Sequence, residues 1–491
     1  MAKWTENLPD VVPLLGDWSG GPGPLYTRLA AALKAAIERG DVPGGARLPP
    51  ERPLAETLGI SRTTVVLAYG RLREQGLLES RQGSGTWVPR RAGVRSPRGH
   101  GQERGRSFLV DSVTRAAAEE PGDTIGFLGA CLPAAAFLDE AWDAARGDVA
   151  ELACGAGYSP QGLPGLRRAI GDYLGGRGLP TAPDELLVTA GAQQAIDLLA
   201  RFLVGEGDAV VLEDPTYLGA IDAFTLARAR LLAVPVGPAG ADVGALRRLV
   251  AEGAPSVVYL VPTFHNPTGT VLGERARREV AGLAEETGVA VVEDECLADL
   301  SFGPDPPPPI AAFAPRAPVF TVGSMSKLFW GGLRVGWVRG PRPLIARLTR
   351  LKVVADLSGS LTSQALAARL LPRRDEVVRL RRRDFRARFE HLTRLLHETL
   401  PEWSWVRPEG GLTLWVRLPT PSAEELARAA LRHGVSIVPG PVHSPSGGCA
   451  DRLRLPFVME EGALGEGVAR LARAWESCRQ PQGERRLGVI V

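Results

Sequence analysis

From about residue 123 onward the chain alternates helix-length segments with short β-branched, apolar runs at 209–213, 256–261, 289–293 and 319–323. A run of four to eight such residues, bounded by turn signals and spaced by a helix, is the sequence form of a parallel strand buried on both faces. The alternation predicts an α/β domain with a largely parallel sheet. Such a sheet binds ligands beyond the carboxyl ends of its strands. The residues just after each run are therefore the first candidates for function.

A chain of 491 residues exceeds one compact core, so two or three domains are expected. Residues 1–21 carry Pro and Gly without periodicity and form a tail. Residues 22–89 have the pattern of a small helical module with a terminal β-ribbon. Residues 90–122 are polar, Gly-rich and basic, the composition of a flexible linker. Residues 123–491 form the α/β domain. Its smaller α+β lobe starts near 370 with an Arg-rich helical stretch over 370–400, and Pro306-Pro307-Pro308-Pro309 makes a stiff surface loop.

The net charge of +3 excludes a polycation, so any nucleic-acid function must rest on a local basic surface. Cys131, Cys154, Cys296, Cys449 and Cys478 are scattered without CxxC spacing, which suggests neither a zinc site nor a disulfide framework. Glu6 and Asp10 interrupt the N-terminus, and no apolar stretch reaches about 18 residues. No membrane segment, no metal and a cytoplasmic location are expected.

In the N-terminal module, Leu29, Leu33 and Ile37 mark one face of a helix over 25–39. A short helix over 51–58 closes at Gly59. Ser61 is a good N-cap for a third helix over 62–75, closed by Gly76. Two helices joined by a tight Gly-containing turn have the form of a helix-turn-helix. Two extended runs around Gln82-Gly83-Ser84-Gly85 then form a hairpin, or wing. A recognition helix carries base contacts near its start, here Ser61-Arg62-Thr63-Thr64. Arg can bind guanine bidentately, and Thr can meet a phosphate or a thymine methyl. A solvated Arg62 and a purely capping Ser61 are the alternatives.

In the α/β domain, Gly323-Ser324-Met325-Ser326-Lys327 follows one β-run, and Arg334 stands seven residues after the lysine. A partly desolvated lysine amine is a usable nucleophile toward an aldehyde, and an arginine fork suits a phosphate. Together they point to pyridoxal 5′-phosphate (PLP), although a buried turn with a snorkelling lysine would have the same sequence. Such a site needs further parts. Asp294, after the run at 289–293, can keep a pyridine nitrogen protonated. Gly191, Ala192 and Gln193 open a helix whose N-terminus suits a phosphate, with Ser324 and Arg334 completing the cup. Tyr217 offers a ring to stack on, and Asn266 an amide for the phenolic oxygen.

Two resemblances join these features. Arg47-Leu48-Pro49-Pro50-Glu51-Arg52, Gly59-Ile60-Ser61-Arg62-Thr63-Thr64-Val65 and Gly83-Ser84-Gly85-Thr86 resemble the winged helix of GntR-type regulators. The resemblance implies DNA contacts at Arg52, Arg62, Thr63 and Thr64, with Gly83 against the minor groove. The order glycine, aromatic, asparagine, aspartate, lysine, arginine, each after its own β-run, resembles the fold-type I aminotransferases. So do Tyr158-Ser159-Pro160-Gln161-Gly162 and Arg452-Leu453-Arg454-Leu455-Pro456-Phe457. By that resemblance Lys327 holds PLP as an internal aldimine. Arg454 grips an effector carboxylate, with Arg452 as its competitor, and Tyr158 reaches the phosphate of a neighbouring subunit. One departure stands out. Many relatives place a tyrosine two or three residues after the aspartate, where this chain has Cys296 and Leu297; a buried inert thiol is the expectation for Cys296, with a thiol facing the cofactor as the alternative.

The whole arrangement resembles the MocR family of PLP-dependent regulators. That implies a homodimer with heads swapped between subunits, a double-stranded DNA operator, and an amine or amino-acid effector, or PLP itself. A working aminotransferase with an accessory N-terminal module is the alternative.

Overall fold

The computed structural model describes residues 12–15, 18, 23–38, 41–42, 45–81, 85–89, 124–130, 132–420 and 422–479. The expected linker at 90–122 and the turn containing Gly83 lie outside them. The chain divides into two compact units, Met1–Arg104 and Gly105–Val491.

The first unit packs helices Leu25–Glu38, Glu51–Leu58 and Arg62–Glu74 around one small core. Leu29, Leu33, Val65, Ala68, Tyr69 and Leu72 meet there at zero exposure. The Tyr69 phenol, carried into that core, donates to the carbonyl of Pro49 at 2.9 Å, which satisfies its polar end. Gly59 closes the second helix in the left-handed conformation (φ +65°) that a glycine adopts without strain. Strands β1 (Glu79–Arg81) and β2 (Gly85–Trp87) pair antiparallel, with Ser80 opposite Thr86, as a wing requires.

The second unit contains two sheets. The larger has eight strands in the order β4-β11-β10-β9-β8-β5-β6-β7. Their ranges are β4 Leu186–Thr189, β5 Ala209–Asp214, β6 Arg230–Gly237, β7 Gly240–Ala241, β8 Val257–Leu260, β9 Ala290–Asp294, β10 Val319–Ser324 and β11 Gly336–Arg339. Strands β10, β9, β8, β5 and β6 run parallel. Strand β11 is antiparallel to both β10 and β4, so β4 runs with the others. The central strands are buried at nearly every position because helices cover both faces, which is why they read as unbroken apolar runs.

The smaller sheet has the order β12-β13-β15-β14-β3. Here β12 is Ser404–Trp405, β13 Thr413–Arg417, β14 Val435–Pro439 and β15 Arg452–Pro456. Its fifth strand, β3 (Ile125–Phe127), comes from the beginning of the unit and pairs parallel with β14. The smaller lobe is therefore not wholly C-terminal. The 26-residue helix Arg374–Thr399 realises the Arg-rich stretch and buries Phe385, Phe389, Leu392 and Leu396.

Candidate functional site

Five parallel strands end on one edge of the larger sheet, and each delivers a side chain to the same cavity. Helix Ala192–Leu203 begins after β4, Tyr217 follows β5, and Asn266 follows β8. Asp294 ends β9, and Ser324 ends β10 with Lys327 just beyond. The smaller lobe closes the other side with Ala130, Leu412, Thr413 and Arg454. The enclosed space is about 190 Å³, and its lining also includes Gln193, Cys296, Leu297, Ser326 and Arg334.

Lys327 Nζ donates to the carbonyl of Ala130 at 3.0 Å, which holds the amine at the cavity wall. Asp294 is buried. Tyr259 Oη donates to its Oδ2 at 2.8 Å and the Cys296 amide to its Oδ1 at 3.0 Å. Burial pushes the Asp294 carboxyl above its ordinary value despite these hydrogen bonds. A buried acid that resists ionisation is suited to share a proton with a ring nitrogen. Tyr217 Oη donates to Gln193 Oε1 at 3.0 Å, while Gln193 Nε2 donates to the carbonyl of Gly219 at 2.9 Å. That chain fixes the phenol ring on the cavity wall.

The anion end is built from backbone and charge. Gly191 caps the helix at φ +91°, and a Cβ there would stand 3.1 Å from Arg334 Nη2. Arg334 takes a left-handed backbone (φ 51°), unusual for a side chain of its size, and donates to the carbonyl of Ala190 at 2.6 Å. A guanidinium is thereby set beside the positive end of a helix dipole. Those two like potentials are stabilised together when an anion lies between them. Ser324 Oγ, bonded to Ser326 Oγ at 3.0 Å, lines the same cavity.

Arg454 and Arg452 lie on one face of β15 by the two-residue period, so alternation does not separate them. Position along the strand does. Arg454 is buried in the cavity and donates to the carbonyl of Leu128, whereas Arg452 lies outside the lining and approaches Asp451 at 3.5 Å. Below Arg454 the imidazole of His443 is held at about 3 by burial and by Arg454, so it stays neutral. Its Nδ1 lies 2.9 Å from the carbonyl of Thr216.

After Asp294 the chain divides its side chains. Glu295 turns inward, where Arg177 reaches it at 2.8 Å, Arg277 at 3.2 Å and the Thr263 hydroxyl at 2.8 Å. Burial alone would raise this carboxyl, but the two arginines hold it below its ordinary value. Cys296 instead lines the cavity. Burial and the neighbouring Asp294 push that thiol well above its ordinary value, which keeps it protonated. Tyr158 is 65% exposed and does not line the cavity of its own chain. Tyr259 was missed because it lies inside an apolar run. A phenol in a fully buried strand needs a partner, and that need was the available signal.

In the first unit Ser61 is an N-cap: its Oγ accepts from the Thr64 amide at 3.1 Å and lies 2.8 Å from Thr64 Oγ1. Arg62 and Thr63 are exposed at the start of the helix, and Thr64 is half-buried. Arg52 pairs with Glu56 at 3.1 Å on the surface, a weak bond that a phosphate can replace.

Residues 25–88 match the bacterial regulatory protein gntR family, and residues 137–471 match aminotransferase class I and II. The chain is 30% identical to the probable rhizopine catabolism regulatory protein MocR of Rhizobium meliloti, over 85% of this chain and 86% of that protein. It belongs to the MocR-type regulators. This MocR-type chain is also 36% identical to 2-aminoadipate transaminase of Thermus thermophilus, over 65% of this chain and 81% of the relative. A solved structure of the Thermus thermophilus alpha-aminoadipate aminotransferase, complexed with N-(5′-phosphopyridoxyl)-L-leucine, matches with a TM-score of 0.67. It is 33% identical, over 74% of this chain and 94% of that one.

The residues of this MocR-type cavity fit PLP. The Asn266 carboxamide lines the cavity, and its buried Oδ1 has no hydrogen-bond partner, so the fold itself leaves this group to a ligand. At Gly191, whose φ of +91° side chains rarely adopt, a Cβ would crowd the Arg334 guanidinium that lines the cavity. Among the described residues no cluster of His, Cys, Asp and Glu is arranged to hold a metal, and no helix is long and apolar enough to cross a membrane.

Proposed function

We propose that this chain is a DNA-binding transcription regulator whose effector domain holds PLP on Lys327 and senses a small amine or amino acid, or PLP itself. One observation carries the reading. The same chain has an exposed recognition-helix start at Arg62-Thr63 and a cavity joining a lysine, a buried aspartate and a buried arginine. When bound, PLP supplies an electrophilic carbon for amines and a ring that accepts electron density.

The chain's own residues divide the remaining work. Lys327 Nζ would hold the cofactor, and its amine would be the base placed to take a proton. Asp294 keeps the ring nitrogen protonated, with Tyr259 fixing its orientation. Asn266 serves the phenolic oxygen alone, since Cys296 and Leu297 stand where many relatives have a tyrosine. Tyr217 stacks on the ring. The amides of Ala192 and Gln193, with Ser324 and Arg334, take the phosphate, and Arg454 takes the effector carboxylate. Arg52, Arg62, Thr63 and Thr64, with Gly83 of the wing, meet DNA, and Ser61 supports them as the cap. Regulation requires the effector to bind one arrangement of the protein more tightly than another. A cytoplasmic homodimer is part of this proposal, since an exposed Tyr158 is then available to a neighbouring subunit's phosphate.

The test uses purified full-length chain reconstituted with PLP. A visible absorption band that Lys327→Ala abolishes is expected, while Arg62→Ala keeps the band and loses retention of operator DNA. A protein that takes up no PLP would overturn the cofactor half of the proposal. A second reading, a working aminotransferase, is favoured by the complete set of Lys327, Asp294, Asn266 and Arg454. Sustained turnover of an amino donor with a keto acid would establish it.

A further inference from the structure

The exposed face of helix Arg62–Glu74 is not the face expected of a helix that meets only water. By the 3.6-residue period Val65, Ala68, Tyr69 and Leu72 fall on one side, and all four are at zero exposure. Arg62, Thr63, Val66, Leu67 and Gly70 fall on the other. Val66 is 37% exposed and Leu67 49% exposed, one turn along from Arg62. Arg62 makes no hydrogen bond or ion pair among the described residues. Gly70 lies near the middle of this face. A Cβ there would meet nothing nearer than Arg73 Nη2 at 3.9 Å, so internal packing does not demand a glycine. Its place inside a helix makes that helix less stable than alanine would. The face thus combines a free cation, an apolar step and a missing side chain, at some expense to the helix.

We propose that Val66 and Leu67 read the 5-methyl groups of thymine in the major groove, beside the base held by Arg62, and that Gly70 lets the helix approach closely enough to do so. The inference rests on the DNA-binding reading above and specifies what is read. The thymine methyl is the apolar group that the major groove presents. Residues 22–89 hold nine basic and six acidic side chains, a balance complementary to a phosphate backbone. A helical turn is about 5.4 Å long, which places Val66 one to two base steps from the contact of Arg62. The operator half-site therefore carries thymine next to the guanine bound by Arg62.

The experiment selects a tight duplex from a random pool with the full-length chain, then replaces each protected thymine by deoxyuridine, which removes the methyl alone. The parent protein is expected to lose about fourfold in affinity for each buried methyl, at one or two positions. The Val66→Ala, Leu67→Ala double variant, whose changes are at exposed positions, is expected to bind thymine and uridine duplexes alike. A parent protein indifferent to uridine, or a double variant that keeps the discrimination, overturns the inference while leaving DNA binding intact. Failure of the parent to retain any duplex at low salt overturns the DNA-binding reading itself. Gly70→Ala is expected to melt at a higher temperature and to bind more weakly. A variant that binds as tightly as the parent overturns the close approach.

Discussion

Burial sets the proton on Asp294, and the consequence is measurable in the cofactor-free protein. A carboxyl raised above its ordinary 3.8 in the folded state means that the native chain binds this proton more tightly than the unfolded chain does. Its contribution to stability is then fully present below 3.8 and is lost as pH rises through the raised value. Asp294→Asn does not ionise. Without PLP the variant is expected to melt higher than the parent at pH 8, with the difference shrinking toward pH 4, while holding PLP more weakly. A lower melting point at pH 8 would mean that hydrogen bonds to the carboxylate outweigh its desolvation. At this scale Lys327, Asn266 and Tyr217 were legible in the sequence because each follows an apolar run. Arg454 was distinguishable from Arg452 only by depth along β15, and Tyr259 only by the lateral neighbour that its hydroxyl finds in β9.

At the scale of elements, the segment after β9 is held by a buried arginine. Arg277, on helix Glu274–Thr287, has a fully buried side chain. It donates to the carbonyls of Leu272, Pro262 and Pro308, to the Thr263 hydroxyl and to Glu295. It ties the end of β9, the loop after β8 and the Pro-rich loop together beneath the cavity. Removing it leaves Glu295 buried with a diminished counter-charge. Arg277→Ala is expected to cost about 3–5 kcal/mol in urea unfolding, and a loss under about 1 kcal/mol would show that Arg177 compensates alone. Sequence spacing gives Arg277 no role, because its partners come from loops that only the tertiary fold places. The runs at 209–213, 256–261, 289–293 and 319–323 match β5, β8, β9 and β10 to within a residue at each end, since burial on both faces leaves unbroken apolar runs, whereas β6, β7 and β11 were not read from the sequence. The three residues of β3 carry no periodicity, and their partner β14 lies at the far end of the chain.

At the scale of the whole molecule, the formal charge of +3 is too small to bind DNA without a local surface. Affinity for the selected duplex is expected to fall linearly on a plot of log affinity against log salt. The slope should flatten by about one for each phosphate-binding arginine removed, Arg52 being the first to test. An unchanged slope in Arg52→Ala would assign that residue to its surface pair with Glu56. PLP uptake by the same preparations is expected to vary far less, because the Asp294 contacts are buried and screened little by salt.

The sequence alone determined the two-part organisation, the α/β class of the larger part and the order of residues around its cavity. Those follow from local rules: side-chain period, capping, and the need of each strand end for a turn. Tertiary structure decided which of two arginines enters the cavity, that Cys296 faces it while Glu295 turns away, and that the smaller sheet borrows β3. Each of these depends on contacts between residues far apart in the chain, where burial and charge pairing act and sequence spacing carries no information.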